Sequence, residues 1–470
     1  MRVDGYTKTI GLIGNPVEHT LSPIIHNGIS ERMDFSENIS NRKGNGSRSV
    51  YLPFHVPTEG LQDAVKGAYA LGVQGLNVTV PYKQLVMEYI EETDEAAARI
   101  GAVNTLVRIQ NGHGFRGYNT DWEGLRCQLQ DDEISLKGKT VVILGAGGAA
   151  RAVLYLCLTE AADKVYILNR TLERAMELAA EFGQMGRILP LKLQDAGKIE
   201  ETDLVVFQAT SIGLYPNVND VVLEDEAFYS RVAEGIDLIY NPAETRFMQL
   251  VESHGGRAFN ALKMLLYQGV RAYELWFDLQ LPEDVISEIL QELKCELYAG
   301  SGENLILIGF MGSGKTTVGR ILADRTGMKF LDTDALLEEK TGKSISEIFA
   351  TQGEKEFRRL ETELLRELQG ILKNTILSTG GGMPLREENA VLLKQLGKVV
   401  YLSASSEVIY DRLKGQTDRP LLQVEDPLGR IRSLMEERKS RYEAASDLMV
   451  DTGGEDPHML AEIITQYMRQ

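Results

Sequence analysis

Residues 309–316 read Gly309-Phe310-Met311-Gly312-Ser313-Gly314-Lys315-Thr316, a spacing of glycines, a lysine and a hydroxyl that suits a nucleoside triphosphate. Glycines let main-chain N–H groups approach phosphate oxygens, Lys315 reaches the β and γ oxygens, and the Thr316 hydroxyl offers a ligand to Mg²⁺. Gly312, Ser313, Gly314, Lys315, Thr316 and Thr317 are therefore the candidate ATP-binding set. A second run, Gly145-Ala146-Gly147-Gly148-Ala149-Ala150-Arg151, has the small residues of a turn that receives a dinucleotide pyrophosphate at a helix N-terminus. Alone it is a weaker signal, because a tight turn needs the same residues. The cofactor is decided further on, where Asn169-Arg170-Thr171 stands in place of the acid that would favour NAD. A guanidinium suits the 2′-phosphate of NADP(H), with Arg174 one turn along as support; the competing reading is a solvated surface arginine.

Each glycine run needs a strand before it and a helix after it. Val141-Val142-Ile143-Leu144 and Leu305-Ile306-Leu307-Ile308 are short β-branched or apolar runs in the right places. Similar runs at Ile10–Ile13, Gly75–Val80, Val165–Leu168 and Leu204–Phe207 alternate with helical stretches, which predicts βα units in two lobes before residue 280 or so. Leu281 to Gly302 reads as a helix of mixed charge ending in Ala299-Gly300-Ser301-Gly302, a breaker that marks the main boundary. The stretch from Glu37 to Ser49, rich in Asn, Ser, Gly and basic residues, reads as a surface loop.

A length of 470 residues implies two or three domains, and 43% hydrophobic with 25% charged residues is a globular composition. Fifty basic against sixty-eight acidic residues leave a net charge of -18, which repels nucleic acid and anionic membranes. Anionic substrates must then be captured by local groups of arginine, lysine and backbone N–H. Cys127, Cys157 and Cys295 have neither disulfide-framework nor metal-ligand spacing, which fits a reducing compartment. The first ten residues lack an apolar leader, and the longest apolar stretch, 141–158, is interrupted by glycines and Arg151. A cytoplasmic protein is expected.

Before the first glycine run stand Gly75-Leu76-Asn77-Val78-Thr79-Val80-Pro81-Tyr82-Lys83, Gly101-Ala102-Val103-Asn104-Thr105 and Gly117-Tyr118-Asn119-Thr120-Asp121. Singly, polar residues at strand ends are turn formers or caps. Together with Gly14-Asn15-Pro16, Ser22-Pro23-Ile24-Ile25-His26-Asn27, the Gly145 turn and Asn169-Arg170-Thr171, they make residues 7–294 resemble the shikimate dehydrogenase family. The resemblance implies that Lys83 and Asp121 form the catalytic pair. It also implies that Thr20, Ser22, Asn77, Thr79, Asn104, Tyr240 and Gln268 hold the carboxylate and hydroxyls of the substrate. Such residue types make chemical sense: hydride transfer to a ketone builds negative charge on oxygen, and a lysine held by an aspartate supplies a positive charge and a proton. The sequence departs from the family pattern in three places. Thr20 stands where serine opens a Ser-x-Ser clamp, Gln208 and Leu214 replace the usual Asn and Met near the expected nicotinamide site, and the 37–49 loop is longer than usual.

After Gly309 the chain runs only to residue 470 and lacks a guanine-specific Asn-Lys-x-Asp, which favours a small-molecule kinase over a motor or a GTP switch. Asp332-Thr333-Asp334 ends the next strand with alternate carboxylates directed to one side, and Arg358 and Glu361 share a helix face. Residues 304–470 resemble the shikimate kinase family. The resemblance implies that Asp332 reaches Mg²⁺, directly or through water. It further implies that Asp334, Arg358, Glu361, Gly380, Gly381, Gly382 and Arg438 bind shikimate with Phe357 against its ring, and that Arg419 is a lid arginine. Otherwise, 380–382 would be a flexible turn and the arginines exposed helix charges.

The expected fold class is α/β: an N-terminal α/β substrate lobe (1–125, with 256–294 returning to it), a Rossmann NADP lobe (126–255), a linker (295–303) and a P-loop kinase domain with a parallel sheet (304–470). The two chemistries connect, since the first would reduce the keto group of 3-dehydroshikimate and the second would phosphorylate the same oxygen. Cofactors would be NADP(H), ATP and Mg²⁺, and partners only small molecules. Two rivals remain: a quinate-preferring dehydrogenase fused to another small-molecule kinase, and a metabolite-sensing regulator without turnover. Oligomeric state stays open, and tethering alone predicts no obligatory channelling.

Overall fold

A computed structural model describes residues 3–18, 20–37, 48–183, 186–214, 217–299, 304–414, 424, 426–454 and 456–468. The chain divides into two compact units, Met1–Leu290 and Gln291–Gln470. The division falls inside the helix Glu283–Lys294, and a wider helical turn, Cys295–Ala299, follows directly. The expected linker 295–303 therefore starts as helix; Cys295 packs on the core of the second unit, and 300–303 lie outside the described residues. Most of the loop read over 37–49 lies outside them too.

The first unit contains two sheets of six strands. In the first sheet, Ser49–His55, Lys8–Gly14 and Gly75–Val78 run parallel, and Thr105–Arg108 and Phe115–Tyr118 continue antiparallel. In the second, all pairings are parallel, in the order Arg257–Asn260, Val232–Asp237, Leu204–Gln208, Thr140–Leu144, Lys164–Asn169, Ile188–Lys192. This is the Rossmann order, and its switch point lies between Thr140–Leu144 and Leu204–Gln208. The expected return at residue 256 is corrected here: Arg257–Asn260 pairs with Val232–Asp237 as an edge strand, because its backbone completes the parallel ladder before the chain leaves in the helix Leu262–Phe277. The helix Asp121–Asp131 runs across the expected 125/126 boundary.

Val141, Val142, Ile143 and Leu144 are all fully buried, as a parallel strand covered on both faces requires. Each such side chain contributes about 1.5–3 kcal/mol by leaving water. Leu305–Ile308 repeats the pattern in the second unit, at the centre of a parallel sheet ordered Lys329–Asp332, Thr375–Ser378, Leu305–Ile308, Lys398–Ser403, Leu448–Asp451. Among the described residues, no helix is long and apolar enough to cross a membrane.

Candidate active sites

Lys83 lies just beyond the strand Gly75–Val78, its carbonyl accepting from Val103 N at 2.7 Å. Asp121 opens the helix Asp121–Asp131, where a carboxylate is favoured by the exposed N–H groups of the first turn. Lys83 Nζ meets Asp121 Oδ2 at 2.7 Å, and Asn104 Nδ2 donates to Asp121 Oδ1 at 2.9 Å. Asn104 is fixed in turn, since its Oδ1 accepts from Thr120 N at 2.7 Å. Both carboxylate oxygens are thus held, and the ammonium keeps protons to offer elsewhere.

The pair faces a cavity of about 310 Å³ whose lining includes every residue expected there: Thr20, Ser22, Asn77, Thr79, Lys83, Asn104, Asp121, Tyr240 and Gln268. Ser22 starts the helix Ser22–Glu37 and accepts from Thr20 Oγ1 at 3.2 Å, so two hydroxyls stand at a helix N-terminus, a natural seat for a carboxylate. Gln268 donates Nε2 to Leu265 O at 2.8 Å. Asn77 is braced from behind: Tyr51 donates its hydroxyl to Asn77 Oδ1 at 2.8 Å and His26 Nε2 lies 3.0 Å from the same oxygen. Burial pushes His26 down to about 3, against the Asn77 bond, so the ring is neutral and its Nε2–H donates. Sequence reasoning missed the apolar wall of Leu238, Ala261, Met264 and Leu265. Its available signal was Met264 and Gln268 one helical turn apart.

Beside this cavity, Gly145 has φ 112°, and an added Cβ would come within 2.9 Å of Thr210 Cγ2, so only glycine fits the turn. Hypothetical Cβ atoms on Gly147 and Gly148 meet nothing within 4 Å, which leaves room for a pyrophosphate over the N-terminus of the helix Gly148–Thr159. Ala146 belongs to the same turn, and Ala149 to the first turn of that helix. Asn169 Nδ2 donates to Thr171 O at 2.8 Å, shaping the end of the second strand, where Arg170 and Arg174 are exposed.

Asp237, fully buried, accepts from Thr245 Oγ1 at 2.6 Å and Ile239 N at 3.0 Å. Burial raises its carboxyl from 3.8 to about 7, against those two bonds. The folded chain therefore binds this proton more tightly than the unfolded chain, and the stability it contributes is complete below about pH 4 and lost as pH rises through about 7. Asp237→Asn should flatten that fall, narrowing the difference in melting temperature of the first unit between mildly acidic and mildly alkaline buffer by about 2–4 °C. Calorimetry at the two pH values checks it; an unchanged difference would assign the slope to other groups.

In the second unit, a cavity of about 510 Å³ is lined by Gly312, Gly314, Lys315, Thr316 and Thr317. Gly314, at φ 94°, caps the helix Lys315–Thr326; Ser313, the remaining member of the loop, is buried. Lys315 Nζ donates to the Gly309 and Phe310 carbonyls at 2.9 and 3.0 Å. Arg412, Thr452 and Pro457, which sequence reasoning missed, complete the cavity wall. Arg412 is tied to Gly312 O and Thr452, a long-range arrangement that local spacing does not announce.

The reading of Asp332 and Asp334 as alternate residues of one strand is corrected. The strand Lys329–Asp332 stops at Asp332, whose Oδ1 caps the next helix by accepting from Asp334 N at 3.0 Å. This side-chain bond to the backbone ends the ladder and places Asp334 in the first helical turn. Asp332 Oδ2 makes no hydrogen bond with the described residues. Arg358 Nη1 meets Glu361 Oε2 at 2.8 Å, as the helix-face spacing predicts. Glu361 is fully buried, and burial raises its carboxyl to about 7 although Arg358 opposes the shift.

Gly380–Gly382 packs against these groups. A Cβ on Gly380 would lie 2.7 Å from Asp334 Oδ1 and 3.5 Å from Glu361 Oε1; one on Gly382 would strike the Arg358 guanidinium; one on Gly381 would press on Met311 N of the phosphate loop at 3.4 Å. Arg438, on the helix Pro427–Ala445, lies over the Phe310 ring with its guanidinium carbon 5.6 Å from the centroid. Phe357, expected against a substrate ring, is buried in an apolar cluster with Leu337, Ile348 and Leu364, its ring 4.6 Å from that of Phe349 and 5.4 Å from the Arg358 guanidinium carbon. Arg419 lies outside the described residues.

A Rossmann sheet with its glycine turn at the switch point, next to a Lys–Asp pair in a polar cavity, defines a nicotinamide-linked oxidoreductase; a P-loop on a parallel sheet defines a nucleotide-dependent phosphotransferase. The family model for the shikimate dehydrogenase substrate binding domain matches residues 12–106, that for shikimate / quinate 5-dehydrogenase 128–220, the shikimate 5′-dehydrogenase C-terminal domain 262–291, and shikimate kinase 311–469. The chain is 42% identical over 301 residues to the NADP(+) shikimate dehydrogenase of Methanopyrus kandleri, covering 62% of this chain and 97% of that one. It is 39% identical to that of Moorella thermoacetica, covering 62% and 95%. Among solved structures, a shikimate dehydrogenase in complex with NADP+ aligns with TM-score 0.54 and 35% identity over 62% of this chain and 97% of that one. A chorismate mutase/shikimate 5-dehydrogenase fusion protein from Clostridium acetobutylicum aligns with TM-score 0.55 and 32% identity over 62% and 98%. The chain belongs to the shikimate dehydrogenase family through its first unit and carries a shikimate kinase domain in its second.

Proposed function

We propose that the first unit reduces 3-dehydroshikimate to shikimate with NADPH, and that the second transfers the γ-phosphoryl group of ATP to the shikimate hydroxyl so formed. The observation that carries the reading is the Lys83–Asp121 pair at 2.7 Å on a cavity that also presents the Thr20 and Ser22 hydroxyls at a helix N-terminus. Those hydroxyls and N–H groups take the substrate carboxylate, and Asn77, Thr79, Asn104, Tyr240 and Gln268 take ring oxygens. Bound NADPH supplies the hydride. Lys83 Nζ stabilises the charge that develops on the carbonyl oxygen and delivers a proton to it, while Asp121, locked by Asn104, keeps the ammonium aimed. Gly145–Ala149 receive the pyrophosphate, and Asn169, Arg170, Thr171 and Arg174 surround the 2′-phosphate.

In the second unit, Arg358 and Arg438 pair with the shikimate carboxylate and Asp334 accepts from its hydroxyls, with Glu361 holding Arg358 and Gly380–Gly382 closing the seat. Thr316 and Asp332 provide hard oxygen ligands of the kind Mg²⁺ takes beside nucleotide phosphates. Arg412 and Pro457 give the base of ATP a flat wall, and Arg419 closes over the moving phosphate. We place both activities in the cytoplasm, where three thiols remain unpaired as they are here.

The test is to supply dehydroshikimate, NADPH, ATP and Mg²⁺ and to follow nicotinamide oxidation and ADP release separately. Both should occur, with ADP release requiring NADPH unless shikimate is added; failure of either signal overturns that half. Quinate offered with NADP+ measures whether the Thr20 methyl shifts preference. Arg170→Glu should raise the KM for NADPH by about 10–100-fold, the loss of one charge-assisted phosphate contact of about 1.5–3 kcal/mol, and leave the KM for NADH nearly unchanged. An equal change for both nucleotides would remove Arg170 from the 2′-phosphate.

A further inference from the structure

Gln208, at the end of the strand Leu204–Gln208, is fully buried and uses its entire amide. Its Oε1 accepts from Thr210 N at 2.6 Å and Thr210 Oγ1 at 2.7 Å; its Nε2 donates to Ile212 O at 3.0 Å and Asp237 Oδ1 at 3.2 Å. On one side, Asp237 accepts from Ile239 N, the residue before Tyr240 of the substrate cavity. On the other, Thr210 sits against the dinucleotide turn, since a Cβ on Gly145 would meet Thr210 Cγ2 at 2.9 Å and Ala209 O at 3.1 Å. Ile212 donates its N–H back to Thr210 Oγ1 at 3.1 Å and leaves its own side chain 42% exposed beyond the strand ends. One amide therefore joins the cavity wall to the loop at the sheet's switch point. Asparagine, shorter by one C–C bond of about 1.5 Å, would give up one end of that span.

We propose that Gln208 is a positioning residue for hydride transfer: it holds the 209–212 loop as a platform that sets the nicotinamide end of NADPH toward the substrate cavity. The assignment rests on the reductase reading above. A strut of this kind acts on the part of the cofactor near the loop and leaves the adenosine end alone, because Arg170 and the Gly147–Gly148 turn hold that end independently. Preorganising the platform saves ordering cost at the moment of binding and fixes the donor carbon relative to the ketone.

The full chain and two variants, Gln208→Leu and Thr210→Val, are titrated calorimetrically with NADP+ and with 2′-phospho-ADP-ribose, the fragment lacking nicotinamide. Thr210→Val removes the hydroxyl partner without stranding a buried amide, so it keeps the test open if Gln208→Leu folds poorly. Both variants are expected to bind NADP+ about tenfold more weakly and the fragment unchanged, a difference of about 1.4 kcal/mol confined to the nicotinamide end. The deuterium isotope effect with 4-deuterated NADPH should rise as the chemical step slows, and kinase activity should not move. Variants that bind both ligands as the unaltered chain does, or that lose affinity for both equally, would overturn the assignment. An unaltered chain that bound no NADP+ would overturn the reductase reading, and this assignment with it.

Discussion

Replacing Lys83 by Met should lower kcat for dehydroshikimate reduction by about 10²–10⁴-fold, the range spanned by one positioned general acid. Methionine preserves the apolar stem and the volume of lysine, so the cavity keeps its shape and the loss is that of the ammonium. Asp121 Oδ1 remains bonded to Asn104 Nδ2, so the helix start at Asp121 stays in place even with Oδ2 unpaired. The ammonium matters most when charge has moved onto the carbonyl oxygen, so kcat should fall much further than the KM for dehydroshikimate rises. NADP+ affinity and the kinase rate of the same chain should be unaltered, and each serves as an internal measure of folding. A reductase rate within about tenfold of the unaltered chain would show that the proton comes from elsewhere, since a general acid is worth more than that.

The parts legible from sequence were those in which neighbours in the chain are neighbours in space. The strand Leu305–Ile308 and the phosphate loop after it, or Thr140–Leu144 and the Gly145 turn, are each one local unit of strand, turn and helix. Lys83 and Asp121 are different: they are 38 positions apart, and only a family resemblance paired them. Their meeting depends on the antiparallel strands Thr105–Arg108 and Phe115–Tyr118, whose register with Gly75–Val78 periodicity alone does not give. Asp334 was misplaced because a carboxylate such as that of Asp332 at a strand end can either continue the alternation or turn back to cap a helix, and the cap satisfies a backbone N–H that the ladder would leave open. Arg257–Asn260 was misassigned because four residues at a sheet edge carry little hydrophobic signature. Arg412, Thr452 and Pro457 converge only once the parallel sheet of the second unit has formed.

Lys315→Met should lower kinase kcat by at least about 10²–10³-fold, the effect of removing one preorganised donor from a developing charge. In this structure the Lys315 ammonium donates to the carbonyls of Gly309 and Phe310, so it is already held at the mouth of the loop and needs only to exchange those acceptors for β and γ phosphate oxygens. Methionine cannot make that exchange, yet it fills the same space at the start of the helix Lys315–Thr326, and reductase activity should be untouched. The pair of variants then yields a stronger test than either alone. Lys83→Met chains lack only the first step and Lys315→Met chains only the second, so a mixture holding each variant at the concentration of the unaltered chain must pass shikimate through solution to make the phosphorylated product. Tethering raises local concentration but adds no enclosed path for a small acid, so the mixture should reach the steady-state rate of the unaltered chain after a lag set by shikimate accumulation. A mixture that reduces dehydroshikimate at full rate but never phosphorylates it at the rate seen with added shikimate would mean that the chain that makes shikimate does not release it to solution.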